Sequence, residues 1–207
     1  MAFKQLETAR LLIRPLSPRD LEGVHAVFSD AEVMRYVPGG ACDRDGSKAR
    51  LQALIEHQRD HGFSKWAVIE MESRRLIGDC GLQYLDGGPE IELGFHIVRS
   101  RWGCGLASEA ARACLQWALA ERPESVVAIA DPANEASIRV LEKIGMRLRG
   151  PGSYFGREWL VYIAEQAPSE LAGGEAEAPS RSALAMPASA SPTEAAAVDS
   201  SSVCRPL

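Results

Sequence analysis

An excess of basic residues is absent from this chain of 207: 23 Lys and Arg stand against 28 Asp and Glu, a net charge of −5. A nucleic-acid binder normally carries the opposite balance, so no nucleic-acid partner is expected. Long apolar runs are missing as well. The opening MAFKQLETAR lacks the apolar stretch of a secretory leader, and no run approaches the length of a membrane span. The cysteines, at 42, 80, 104, 114 and 204, are odd in number and lack metal-ligand spacing. They predict reduced thiols in a cytoplasmic protein. His57 and His61 stand one helical turn apart without a third ligand nearby, so no metal is expected and a solvated helix face is the plainer reading. With 46% hydrophobic and 25% charged residues, the composition is that of an ordinary soluble globular domain.

What is there centres on residues 100–119, SRWGCGLASEAARACLQWAL. Leu106, Ala110, Ala113/Cys114 and Trp117 recur at helical spacing, so Gly103 and Gly105 lie at the mouth of an amphipathic helix. A Gly-rich turn opening a helix leaves backbone N–H groups unpaired at the positive end of the helix dipole, a natural phosphate site. The dinucleotide fingerprint would place a third glycine where this chain has Ser108, and no Gly-Lys-Ser/Thr follows to make a P-loop. Strand-like runs at 64–71, 75–85 and 89–98 precede the helix, joined by short turns. Such links predict antiparallel hairpins, unlike the βαβ units of a dinucleotide fold.

Elsewhere, 9–15 reads as a strand and Ser17-Pro18 as a helix start, with Leu21, Val24, Val27 and Phe28 on its buried stripe. Residues 30–36 form a turn or short helical piece. A helix over about 45–61 stops near Gly62; 126–130 is a buried strand; Asn134 begins a helix with Gly145 just past its end; 150–152 reads as a loop and 158–164 as a last strand. From about residue 167 Ala, Ser, Pro and Gly dominate without periodicity, which predicts a disordered tail over 167–207 after a domain over 3–166.

EIELGFHIVRSRWGCGLASEA, followed by NEASIRVLEKIGM, resembles the GNAT superfamily of acetyl-CoA-dependent N-acetyltransferases. LETARLLIRPLSPRD and SDAEVMRYVPG are similar to its ribosomal-protein N-terminal acetyltransferase branch (RimJ/RimL-like), and the resemblance runs from about Leu6 to Tyr162. It implies the GNAT fold in the α/β (α+β) class: a central mixed, mostly antiparallel sheet of about seven strands splayed in a V, flanked by about four helices. The pantetheine arm of acetyl-CoA would lie in the V along the strand at 89–98. The pyrophosphate would rest on Trp102-Gly103-Cys104-Gly105-Leu106-Ala107 and Ser108, where Trp102 replaces the family's Gln/Arg. Backbone groups of His96 and Val98 would contact the cofactor, with the His96 N–H aimed at the thioester oxygen. Asn134 and Ser137 would contact the arm from the other side, although Asn134 is also a sufficient helix cap and Ser137 an ordinary first-turn residue.

Strand alternation puts Glu90, Glu92, Gly94, His96 and Val98 on one face. Glu92 matches the family's general base, the alternative being a solvated strand carboxylate. His96 on the same face could share the task, since an imidazole titrates nearer neutrality. Leu141 stands where many members carry a tyrosine that protonates the leaving thiolate, so Ser137 is the candidate acid. Arg35, Tyr36 and Tyr154 are candidates for acceptor binding. The expected activity is acetyl transfer to a primary amine, a protein or peptide N-terminus foremost. The alternatives are a polyamine, an amino acid or an aminoglycoside-like amine, or a non-catalytic acyl-CoA-binding module. The partners implied are the amine and acetyl-CoA, with no membrane, in a monomer or homodimer.

Overall fold

The computed structural model describes residues 4–121 and 125–165. In order come β1 (Leu6–Glu7), β2 (Leu11–Arg14), α1 (Leu21–Phe28), α2 (Arg44–His61), β3 (Lys65–Glu70), β4 (Arg75–Tyr84), β5 (Ile91–Ile97), α3 (Leu106–Glu121), β6 (Val126–Ala130), α4 (Glu135–Lys143), β7 (Arg147–Tyr154) and β8 (Arg157–Ala164). The strands form one sheet in the order β1-β2-β3-β4-β5-β6-β8-β7. The short turns predicted between 64 and 98 do make β3, β4 and β5 antiparallel neighbours. One pair, β5 with β6, is parallel, because α3 carries the chain back across the sheet.

Local chemistry sets the helix ends. The Asp43 carboxylate accepts the Gly46 N–H at 2.8 Å to open α2, and Gly62, at φ +76°, closes it. Pro18 starts a 3-10 turn ahead of α1, where Asp20 accepts the Ser17 N–H at 2.8 Å and pairs with Arg14 at 2.7 Å. Asn134 caps α4 through the Ser137 N–H at 3.2 Å.

The main core lies between one sheet face and the inner sides of α3 and α4: Ile91, Leu93 and Ile97 of β5 meet Leu106, Ala110 and Cys114 of α3, with Leu141 of α4. On the opposite face α1 and α2 bury Val24, Phe28, Leu51 and Leu54 over Ala67. A smaller group, Leu85, Val127 and Val161, covers β6 and β8.

Several expectations change. Residues 150–152, read as a loop, lie within β7, whose terminal place in the sheet tolerates Pro151 and the glycines beside it. The two-residue β1 brings the sheet to eight strands. His57 and His61 are unequally solvated: His61 is exposed as expected, whereas His57 is half-buried with Nδ1 2.8 Å from the Phe63 carbonyl, and both rings pack beside Phe63 and Tyr84. Cys42, Cys80 and Cys114 are free thiols, as expected. The predicted tail over 167–207, with Cys204, lies outside the described residues.

Candidate active site

The sheet opens beside β5. Pairing with β6 is confined to Ile91↔Val126 and Glu92↔Val127, after which the strands part. The Val98 N–H donates to the Ile77 carbonyl of β4 at 2.8 Å, and the His96 carbonyl also turns that way, the nearest atom to where a Cβ on Gly78 would lie. Alternation therefore aims the backbone groups of Leu93, Phe95 and Ile97 at the gap. The thioester donor expected of the His96 N–H is turned toward β4 instead; the N–H groups facing the gap belong to Phe95 and Ile97.

The Gly turn at the end of this edge is held from three directions. Arg101 makes a two-point ion pair with Glu70, at 2.8 and 3.0 Å. The Trp102 indole N–H donates to the Ile97 carbonyl at 2.7 Å. That contact gives the tryptophan a job that does not involve phosphate. Arg10 donates to the Cys104 carbonyl at 3.0 Å while its Nε bonds Glu109 at 2.7 Å. Gly103 and Gly105 sit at φ +73° and +75°, the left-handed region that side chains resist. Among the described residues, no atom beyond the chain neighbours lies within 4 Å of where a Cβ on Gly103 would be, and on Gly105 only Arg10 Nη2 does, at 3.7 Å. Leu106, Ala107 and Ser108 form the first turn of α3. Beside it, a cleft of about 380 Å³ is lined by Gly105, Ser108, Arg112 and Lys143, with the Glu109 carboxylate also on its wall but engaged by Thr8 and Arg10. Free N–H groups at a helix start with cations alongside fit the diphosphate of acetyl-CoA.

Across the gap, Asn134 and Ser137 stand at the start of α4, just past the end of β6. Leu141, two turns on, is fully buried in the main core.

On the face of β5 toward α1 and α2, Glu92, Gly94 and His96 succeed one another, as alternation predicts. Cross-strand pairing adds Gln83 beside Glu92, Gly81 and Lys65 beside Gly94, and Asp79 beside His96. Lys65 lies over Gly94: a Cβ there would be 2.5 Å from its Cε and Nζ, the flexible end of the lysine, which would have to move aside. His96 Nδ1 is 3.0 and 3.2 Å from the two carboxylate oxygens of Asp79, which is buried at 2% exposure. The Phe28 ring meets the imidazole edge-on. Asp79 was not among the residues expected from sequence; its only sequence signal is a charge inside an otherwise apolar strand.

The expected acceptor residues are less uniform. Arg35 is exposed beside the Tyr36 ring. Tyr36 offers its carbonyl to Arg157 at 2.7 Å, and Arg157 also reaches Asp131 at 3.1 Å while stacked on Trp159. This arginine ties the loop after α1 to β8. The Tyr154 hydroxyl donates to Glu90 at 2.6 Å, in a group completed by Arg149. Hydrogen bonds from Arg149, then from Tyr154, hold the Glu90 carboxyl below its ordinary range.

Residues 10–147 match the family model of an acetyltransferase (GNAT) domain. The chain is 32% identical over 146 residues to YnaD of Bacillus subtilis (strain 168), an uncharacterized N-acetyltransferase, covering 70% of this chain and 84% of YnaD. An acetyltransferase structure from Agrobacterium tumefaciens str. C58 is similar with a TM-score of 0.71 at 27% identity, covering 80% of this chain and 96% of that one. RimL, a ribosomal L7/L12 alpha-N-protein acetyltransferase solved with coenzyme A, shares the fold at a TM-score of 0.66 and 15% identity, over 78% of this chain and 98% of RimL. No helix among the described residues is long and apolar enough to cross a membrane. With a splayed β5–β6 edge, a glycine turn opening α3 and a family match over most of its length, this chain belongs to the GNAT family of acetyl-CoA-dependent N-acetyltransferases.

Proposed function

We propose that the protein acetylates the N-terminal amine of a protein or peptide by direct attack on the thioester of acetyl-CoA. The observation that carries this reading is the row Glu92, Gly94 and His96 beside the open edge of β5, between the apolar groups of α1/α2 and of β6/β8. An amine entering over this face would meet the thioester across the strand edge. The new C–N bond forms as the C–S bond breaks, the amine's proton passes to a base on β5, and the thiolate leaves. Glu92 and His96 are the two candidate bases.

An α-amine titrates at about 8 and a lysine at about 10.4, so a base of modest strength suffices for the former. A thiolate whose acid titrates at about 8.5 is already a fair leaving group, and the Ser137 hydroxyl at the start of α4 is the candidate to protonate it. The cytoplasm is the compartment proposed. Resemblance to the ribosomal-protein branch supports the choice of acceptor.

The buried Leu141 favours a second reading, an acyl-CoA-binding module without turnover, because it removes the tyrosine acid of many family members. Thiol release separates the two. The protein is mixed with acetyl-CoA and, in turn, a peptide with a free N-terminus, a polyamine, a free amino acid and an aminoglycoside, and products are weighed by mass spectrometry. Peptide N-acetylation above the other amines is the expected result. A small molecule as best acceptor would replace the substrate, and binding without thiol release from any amine would leave the module.

A further inference from the structure

Asp79 lies in the middle of β4 with almost no exposed surface. A carboxylate so far from water needs a hydrogen-bonded partner to stay charged. Register provides one: Asp79 is directly opposite His96, and both its oxygens lie within 3.2 Å of Nδ1. No other hydrogen bond to the Asp79 side chain is present among the described residues. The imidazole's other nitrogen, Nε2, bonds no described residue and is not among the buried atoms lacking a partner, so it reaches solvent on the acceptor-side face. A ring held by a buried carboxylate at Nδ1 and open at Nε2 is the arrangement that turns histidine into an oriented base.

We infer that Asp79 is a positioning residue that fixes the proton of His96 on Nδ1, and that His96 Nε2, rather than Glu92, takes the proton from the acceptor amine. This rests on the acetyl-transfer reading above. The balance is simple. Nitrogen bonds the acetyl carbon, sulfur departs with its electron pair, and the ammonium proton moves to Nε2, where the facing Asp79 carboxylate stabilises the imidazolium. Deprotonation by solvent resets the ring.

Glu92 is four residues along the strand, about 13 Å away at roughly 3.3 Å per residue, so the two groups cannot share one amine directly. Its carboxylate makes no hydrogen bond or ion pair among the described residues and has nothing to orient it. Of the charged groups on this sheet face, Asp79 on β4 is directly opposite His96, Lys65 on β3 lies over Gly94, and Glu92 on β5 is four residues along; α1 contributes the Phe28 ring, with Arg50 of α2 on that ring.

The test uses the full chain with acetyl-CoA and the best amine from the panel. Rates are followed across pH for Asp79→Asn, Asp79→Glu, His96→Ala and Glu92→Gln, alongside nitrogen-15 NMR of the wild-type histidines. His96→Ala is expected to lower kcat by about 10²–10⁴-fold at neutral pH, the loss shrinking as pH rises and the amine arrives neutral. Asp79→Asn should lower kcat, because nothing then holds the ring's proton on Nδ1 and Nε2 toward the amine. Asp79→Glu should recover part of the rate, and acetyl-CoA affinity should be unchanged in all four. NMR should find the neutral His96 ring protonated at Nδ1. The inference is overturned if Asp79→Asn keeps the wild-type rate, if Glu92→Gln rather than His96→Ala carries the pH-dependent loss, or if NMR finds the proton at Nε2. Should Asp79→Asn not fold, the NMR assignment and the His96→Ala and Glu92→Gln profiles decide. A wild-type protein that acetylates no amine would instead remove the reading on which the inference stands.

Discussion

Arg10 and Glu109 stand 99 residues apart in sequence and join the start of β2 to the first turn of α3, with Arg10 Nε 2.7 Å from one carboxylate oxygen and the Arg10 backbone N–H 3.0 Å from the other. Thr8 adds a hydroxyl donor at 2.6 Å. Because Arg10 also holds the Cys104 carbonyl, one ion pair fixes the helix start and the glycine turn together.

This pair should show in pH-dependent stability. Burial pushes the Glu109 carboxyl up, but the hydrogen bonds from Thr8 and Arg10 outweigh it and hold it below its ordinary value. A depressed carboxyl contributes stability above its unfolded value, about 4.3, and loses it as pH falls through the lower folded value. Glu109→Gln should therefore melt lower than wild type at pH 7, by a few degrees for a loss of about 1–2 kcal/mol. Thermal melts from pH 7 to pH 3 should bring the two curves together; a constant gap would mean that the charge is not what matters.

Acetyl-CoA should stabilise the protein by about 2.7 kcal/mol at a hundred times its dissociation constant, and NAD or ATP should not. Gly105→Val should abolish most of that gain, since valine resists the φ of +75° and covers backbone that must approach the phosphates. Thermal shift with and without ligand measures it. A full shift in the variant would place the pyrophosphate elsewhere.

Leu141→Tyr should not create an acid. The side chain at 141 points into the core, so the larger ring overpacks it at a cost of about 1–3 kcal/mol, with no rise in kcat. Leu141→Ala should cost about 2–5 kcal/mol. Denaturant melts and turnover on the same samples test both; a faster Leu141→Tyr enzyme would mean that the position reaches the cleft.

Arg157→Ala frees the Tyr36 carbonyl and the Asp131 carboxylate at once. The loop after α1 should then be less well held and KM for the amine should rise several-fold, while acetyl-CoA affinity stays constant because the glycine turn is anchored independently. Steady-state kinetics with each substrate varied in turn separates the two, and a changed acetyl-CoA affinity alone would contradict this role.

The features legible in the sequence are those set by neighbours a few residues away. Alternation told the faces of β5 apart, helical spacing found α3, Gly103 and Gly105 marked a turn needing positive φ, and the Asn134 cap was readable from its residue type. β7 was missed because Gly150, Pro151 and Gly152 are poor strand residues that an outermost strand can still accommodate. The partnerships that give the site its chemistry were decided by the tertiary structure. Asp79 meets His96 through strand register, Glu109 meets Arg10 through the packing of α3 on β2, and the backbone of His96 faces β4 rather than the gap because the phase of the β4–β5 ladder requires it. Such contacts join residues 17 or 99 positions apart. Local propensity cannot encode them, because each depends on where the rest of the chain has folded.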